Sequence, residues 1–420
     1  MDFGFGIADA QSIQNRKSKI RCASTITQTM KITGVRFKPY EIALTRSLGD
    51  ANGPRGNTRM AMMAVYLDTD EGVTGISLSG PGAQGAIAGL VDGLIAGHDP
   101  RGVRGLWKRM MDYAFKGGNR GAITGLIATI DIALWDLKAK INGEPLWRTL
   151  GGSSRRVKGY ASDIGLSLSD DELRAFYERL AGQGVNAGKV KVGLNLEDDF
   201  RRIGIMRDAL AKSGKTPLLI IDSNEYWSPK QAIRHIRELE KTYDLFWVEE
   251  PARRWDYRGL RKVSQSVNAA VATGENLHDI GDYMALIANE AADVYQIGIG
   301  TSGITGAMMV ADMAHGFEHP VSLMNCPANF MAHLGTALPN HNMIEVLDAG
   351  VDQGMIHRHK VEDGYVVLSD DPGIGIVFDE TKLDAWHVER PSAEAKMPFP
   401  RRRGAGLYEV PLTEPDELPD

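Results

Sequence analysis

Four short apolar runs between Lys189 and Glu275 each end on charged residues, and this regularity limits the fold more than anything else in the chain. AGKVKVG carries Lys189 and Lys191, LLIIDSN carries Asp222 and Asn224, LFWVEEP carries Glu249, and AVATGEN carries Glu275. The acids fall 27 and then 26 residues apart, about one strand, one helix and their loops. Successive βα units of a parallel barrel repeat at that distance and bring their strand ends to a common mouth. The segments between the runs read as helices. LEDDFRRIGIMRDAL opens with acids, where the helix dipole favours them, and Ser228-Pro229 reads as an N-cap followed by proline at the first helical position.

Extending the period gives eight strands. VKGYASDIG is the first, DVYQI the sixth, PVSLM the seventh, and NMIEV the eighth, ending near Glu345. Upstream the pattern is α+β instead. MKITGVRFKPYEIAL reads as a strand, and MAMMAVYLDTDEGVTGISLSG as a hairpin turning at Asp70-Glu71-Gly72. The loops LGDANGPRGNTR and SGPGAQG flank that hairpin, and the first is too long for a plain turn. Helical periodicity begins near Val91. In GAITGLIATIDIALWDLKAKING, Ile123, Leu126, Ile127, Ile130, Ala133, Leu134 and Leu137 share one face, and Gly143 and Pro145 end the helix. The expected organisation is a flexible arm over 1–29, an α+β domain over 30–153 and a barrel over 154–345. A segment over 346–390, with KVEDGYVVL and PGIGIVFD, returns to the first domain. An extended tail over 391–420 carries Arg401-Arg402-Arg403 and covers the surface or a neighbouring subunit. The arm is read as mobile or as an oligomer contact, with Met30 an alternative start, and a homo-oligomer is expected.

Composition excludes several classes. A net charge of −6 over 420 residues offers no basic field for nucleic acid or an anionic membrane. No apolar run is long enough to span a bilayer, and the first thirty residues lack a signal-peptide core. Two cysteines, Cys22 and Cys326, cannot build a disulfide framework or a four-ligand zinc site, so a cytoplasmic location is expected.

The chemistry follows from the strand ends. Three converging carboxylates repel one another unless a cation sits between them, and oxygen ligands suit Mg²⁺, one per subunit. Glu250, next to Glu249, points the other way and is expected behind the ligands. Lys189 and Lys191 share a face, and a lysine buried beside a cation is expected to have a lowered pKa and to act as a base. A base facing a divalent cation suits removal of the proton next to a carboxylate.

These residues resemble the enolase superfamily, specifically its mandelate racemase subgroup, over nearly all of residues 30–390. The resemblance rests on IDIALWDLKAKINGEPLWRTLGG, Lys189-Val-Lys191, Asp222-Ser223-Asn224, VEEP at 248–251, GEN at 274–276 and DGYVVL…PGIGI. It implies a modified TIM (β/α) barrel with a capping domain built from the segments before 153 and after 345, the two glycine-rich loops setting specificity. It implies Asp222, Glu249 and Glu275 as Mg²⁺ ligands, Lys191 as general base supported by Lys189, and Asn224 on the substrate. It implies Glu345 as the acid that hydrogen-bonds the substrate carboxylate. The subgroup's second base, an aspartate on strand six and a histidine on strand seven, is missing. Ile297 or Gly298 stands at the first position and Met324 or Asn325 at the second.

Racemisation needs groups on two faces, whereas β-elimination can run from one. The leading expectation is dehydration of a sugar acid to a 2-keto-3-deoxy acid, with Lys189, Tyr226 or a metal-bound water as the acid. Asn325 and Cys326 are placed to touch substrate, although Cys326 also suits packing. His333 is a candidate contact, but a lone histidine in MAHLGTAL is more often a packed helix residue, and His341 reads the same way. Asn52, Arg55, Asn57 and Arg59 in the first loop suit a polyhydroxylated acid such as lyxonate, arabinonate or galactonate. The alternatives are a cycloisomerase, epimerase or racemase of the superfamily and, more remotely, a silent sugar-acid-binding barrel.

Overall fold

The computed structural model describes residues 30–346, 352–395, 400 and 405. The arm over 1–29 with Cys22, and most of the tail beyond Ala395 with Arg401–Arg403, lie outside the described residues. The chain opens with an antiparallel sheet of β1 (Ile32–Leu48), β2 (Asn57–Thr69) and β3 (Thr74–Ser79) in that order. Eight parallel strands follow: β4 (Arg156–Ser162), β5 (Ala187–Lys191), β6 (Leu218–Asp222), β7 (Leu245–Glu249), β8 (Ala270–Thr273), β9 (Val294–Ile297), β10 (Val321–Leu323) and β11 (His341–Val346). They pair in sequence order, and β11 pairs with β4 to close a barrel.

Strand alternation decides what fills that barrel. Tyr160, Ala187, Ile220, Trp247, Ala272, Val294 and Met343 form an apolar plug inside it. Two residues further along the same strands, and so on the same inward face, come Ser162, Lys189, Asp222, Glu249, Gly274, Gln296 and Glu345. The polar ring therefore sits on a dry floor. Outside, the helices between strands have the expected caps. Ser228 accepts from the Gln231 amide, and Asn195 accepts from the Glu197 and Asp198 amides.

The helix Ala122–Ile141 joins the two parts. Its sequence predicted one apolar face, but from Ile127 to Leu137 every residue is buried. It lies between β3 and the barrel helix Ile299–Gly316, so both sides are covered. Two buried aspartates make the joints. Asp136 accepts from the amides of Ile76 in β3 and Ile374 in the returning segment, at 2.8 and 2.7 Å, and pairs with Lys140. Asp131 accepts from the amide and hydroxyl of Thr305 on the barrel helix. Buried carboxylates satisfied in this way fix one docking of cap on barrel.

The segment after 351 departs from expectation in one place. KVEDGYVVL, expected on the first domain, forms β13 (Lys360–Glu362) and β14 (Tyr365–Val367), and β14 instead joins the barrel antiparallel to Arg156–Lys158 of β4. β4 meets β5 only at Ala161 and Ser162, which leaves that lower edge open to pairing. The rest does return. β12 (Met355–His357) pairs with β15 (Ile376–Phe378), and the following helix Glu380–Ala385 lies against β1, where Lys38 meets Glu380 and Asp384. Among the described residues no helix is long and apolar enough to cross a membrane.

Candidate metal centre and active site

Strand register brings the charged ends level. Lys191 is the direct neighbour of Asp222, and Asp222 of Glu249. Glu275 lies just past β8, delivered by Gly274 at φ +130°, where an added Cβ would come within 2.5 Å of the Gln296 carbonyl oxygen. One oxygen from each of Asp222, Glu249 and Glu275 lies within 4.8 Å of the others, with no other metal-sized cluster of acids, histidines or cysteines among the described residues. Three buried or half-buried carboxylate oxygens at the mouth form the hard donor set that a Mg²⁺ ion fits, with room left for substrate and water. Burial, together with the neighbouring acids, pushes Glu275 up to about 6 and Glu249 well above the usual carboxylate range. The acids resist carrying their charges together, as a site built for a cation should.

Lys189 and Lys191 fill part of that space. Lys189 Nζ lies 2.5 Å from Glu249, 3.1 Å from Glu345 and 3.4 Å from Asp222, and Lys191 Nζ lies 2.6 Å from Asp222. The lowered lysine pKa expected from the sequence concerns a lysine beside a cation; the protein's own groups act in the other direction. Burial works to lower both, but the attraction of Asp222, Glu249 and the other acids outweighs it, so both stand above the ordinary lysine value.

Glu345, on β11, reaches the same ring, and Asn325 donates to it from both its backbone amide and side chain, at 3.1 and 2.7 Å. Asn325 thus orients an acid, a use the sequence did not suggest. Asn224 follows Asp222 in left-handed conformation, and its backbone amide donates to the Asp222 carboxylate at 2.8 Å. Its buried side-chain oxygen has no hydrogen-bond partner among the described residues, consistent with a group awaiting substrate. The first glycine-rich loop reaches this point: Asn52 donates to the Asn224 carbonyl at 3.0 Å, and Gly49 pairs with the Ile164–Leu166 backbone beyond β4. Arg55 is exposed in that loop, Asn57 begins β2, and Arg59 is tied to Glu41. Tyr226 is buried in the turn after β6.

His333 is a correction. Its ring is fully buried away from the mouth, with Nδ1 accepting from the Trp147 amide and Nε2 facing the Ile374 carbonyl, so packing and backbone bonding account for it. His341 begins β11, at the opposite end of the barrel from Glu345. Cys326 is buried, its sulfur accepting from the Met331 amide.

The far side of the ring differs. β9 ends at Ile297 with Gly298 next, and β10 ends at Leu323 with Met324 next. Gln296 points inward there, with neither carboxamide atom partnered among the described residues. Behind the ligands lies a cluster the sequence reading passed over: Glu225, Arg253, Arg254 and Asn276. Its signals were the arginine pair after VEEP and the asparagine of GEN.

Comparison with known proteins settles the lineage. Residues 51–151 match the mandelate racemase/muconate lactonizing enzyme N-terminal domain, and residues 172–382, half the chain, match the enolase C-terminal domain-like family. The chain belongs to the enolase superfamily, in its mandelate racemase subgroup. It is 30% identical to the 3,6-anhydro-alpha-L-galactonate cycloisomerase of Streptomyces coelicolor, over 84% of this chain and 98% of that protein. It is 28% identical to the L-talarate/galactarate dehydratase of Salmonella typhimurium, over 87% of this chain and 96% of that one. The crystal structure of that dehydratase with Mg and L-lyxarohydroxamate superimposes with a TM-score of 0.77 at 25% identity, covering 86% of this chain and 94% of the other. The superfamily's cofactor is therefore Mg²⁺ here also, and the protein is an enzyme.

Proposed function

We propose that this enzyme is a sugar-acid dehydratase that removes the proton α to a carboxylate and expels the β-hydroxyl, leaving a 2-keto-3-deoxy acid. The observation that carries this reading is the one-sided distribution of acid–base groups. Lys191 stands at the end of β5, while the ends of β9 and β10 offer Ile297, Gly298 and Met324. Asp222, Glu249 and Glu275 hold the cation, which when bound offsets the acids that raise the lysines and stabilises charge developing on the substrate carboxylate. Asn224 and Glu345 bind and orient that carboxylate, and Lys191 takes the proton from the face it occupies. Lys189, wedged between Glu249 and Glu345 on the same side, holds the ring's charges in place and is the group proposed to protonate the departing hydroxide. Asn52, held to the Asn224 carbonyl, brings the first glycine-rich loop to the mouth beside the substrate-binding asparagine.

A cycloisomerase reading shares the first half of this chemistry and is favoured by the 30% identity to a cycloisomerase. In a 3,6-anhydro sugar acid the β-leaving group is the ring oxygen, so the same proton removal would open the ring with no loss of water. A single experiment separates them. The purified enzyme with Mg²⁺ is assayed for 2-keto acid against aldonates (lyxonate, arabinonate and galactonate among them), aldarates and 3,6-anhydro acids. Turnover of an open-chain acid supports the dehydratase, and turnover of anhydro acids alone replaces it with the cycloisomerase. No product and no α-hydrogen exchange in D₂O with any of them would defeat both.

A further inference from the structure

The backbone turns sharply just beyond two of the ligands. Asn224 and Glu225 after Asp222, and Glu250 after Glu249, have φ of +45°, +58° and +44°, a region costly for residues with a Cβ. Such turns persist where surrounding contacts over-determine them. Here the Glu225 amide donates to the Glu250 carbonyl at 2.8 Å, and Ser223 Oγ donates to the same carbonyl at 3.0 Å. The turn aims the Glu225 side chain, 2% exposed, at the loop after β7. There Arg253 donates to one carboxylate oxygen at 2.7 Å, and Arg254 donates to the other through Nε at 2.5 Å and its backbone amide at 3.1 Å. The far end of the Arg254 guanidinium donates to the Asn276 carbonyl at 3.0 Å. The Asn276 side-chain amide in turn donates to Glu275 at 3.1 Å and Glu250 at 3.0 Å.

We infer that Arg254, locked by Glu225, is a positioning residue that acts through Asn276 to hold the Glu275 carboxylate in the metal-binding geometry. One residue then ties the loops after three strands into a frame behind the ligands. Arg254 touches neither cation nor substrate. The inference rests on Glu275 being a metal ligand.

Electrostatics and positioning predict opposite outcomes when Arg254 is removed, which makes the role testable. Arg254→Met deletes a positive charge near the site and leaves Glu225 paired with Arg253 alone, so charge alone predicts tighter cation binding. Positioning predicts weaker binding, by about 10–100-fold, the usual effect of losing a ligand's supporting group. The measurement is Mn²⁺ and Mg²⁺ affinity of the substrate-free enzyme by calorimetry, beside the thermal midpoint without metal. Weaker binding in Arg254→Met, with no further loss when Asn276→Ala is added, is the expected result. Unchanged or tighter binding overturns the inference, whatever happens to the thermal midpoint. Should Arg254→Met not fold, Arg254→Lys takes its place: it keeps the charge and loses the fork, so weaker binding supports the inference and unchanged binding overturns it. Glu275→Gln is the control: if it binds Mn²⁺ as the wild type does, the ligand assignment itself has failed, separately from the role of Arg254.

Discussion

The two halves of the barrel mouth share a scaffold and differ in chemistry. Across β5 to β8 the strand ends carry Lys189 and Lys191 in salt bridges with Asp222 and Glu249, and Glu275 within 4.8 Å of those acids, backed by Asn276, Glu225 and Arg254. Across β9 and β10 the corresponding positions carry Gln296, Gly298, Ser322 and Met324, and Ser322 spends its hydroxyl on the Met343 carbonyl. Nothing in the backbone forbids a titratable group there, because the strands pair in register and point residues inward as the others do. The difference therefore lies in the side chains and not in what the fold can present. A mouth with proton-transfer groups on one side suits elimination, and a matched pair of sides suits racemisation.

Removing the occupied side should have the largest effect. Lys191→Ala is expected to lower kcat by roughly 10²–10⁴-fold, the range that a positioned acid–base group supplies. Circular dichroism and metal affinity should stay near wild type, and α-hydrogen exchange in D₂O should vanish with turnover. Exchange that survives in Lys191→Ala would place the base elsewhere and dissolve the contrast between the halves.

Filling the empty side is the converse test. Gly298→Asp with Met324→His places an aspartate and a histidine at the inward positions past β9 and β10. Exchange of the α-hydrogen from the second face should then appear, followed as loss of stereospecific deuterium incorporation. A grafted dyad lacks supporting contacts, so the gain should remain about tenfold or more below the Lys191-driven exchange. If the wild type already exchanges from both faces, an acid–base group has been overlooked in the β9–β10 half.

How much of this was legible depended on whether a residue's role followed from the period of the fold. Asp222, Glu249, Glu275 and Glu345 were legible because barrel geometry sends every strand end to one place, so sequence spacing translates into proximity. The missing dyad was legible for the same reason. Arg254 and Glu225 were not, because they meet through loops whose left-handed turns leave no mark in strand or helix patterning. The hairpin at 360–367 was seen as strands, but its partner was not, since edge pairing depends on how far β4 overhangs β5. The place of the lysines beside the strand-end acids was legible, and the balance of forces on their charges was not. Burial is visible from strand parity, whereas the outcome depends on distances to four acids that only the coordinates give.

The smallest expected effect concerns a pair of histidines, His333 and His359, buried away from the strand ends. His359 is buried in the returning segment, with Nε2 2.9 Å from the Ile374 carbonyl and Nδ1 accepting from the Ser369 amide at 3.1 Å. His333 shares the Ile374 carbonyl, and the two rings meet edge to face at 5.3 Å. Burial lowers the pKa of His359 to about 4. The unfolded chain, with an ordinary histidine value of about 6.5, then binds more protons than the native state between those two pH values. Stability is full above about pH 6.5 and falls as pH drops toward 4, below which this residue adds no further slope. His359→Gln retains a donor and an acceptor but cannot be protonated. It should lose less stability than the wild type between pH 7 and pH 4.5, by about 1–2 kcal/mol in urea titrations, with turnover at pH 7 unchanged. An identical acid limb in the two proteins would mean that the seam opens before its histidine is charged. A changed kcat at pH 7 would mean that this seam, remote from the strand ends, bears on the mouth after all.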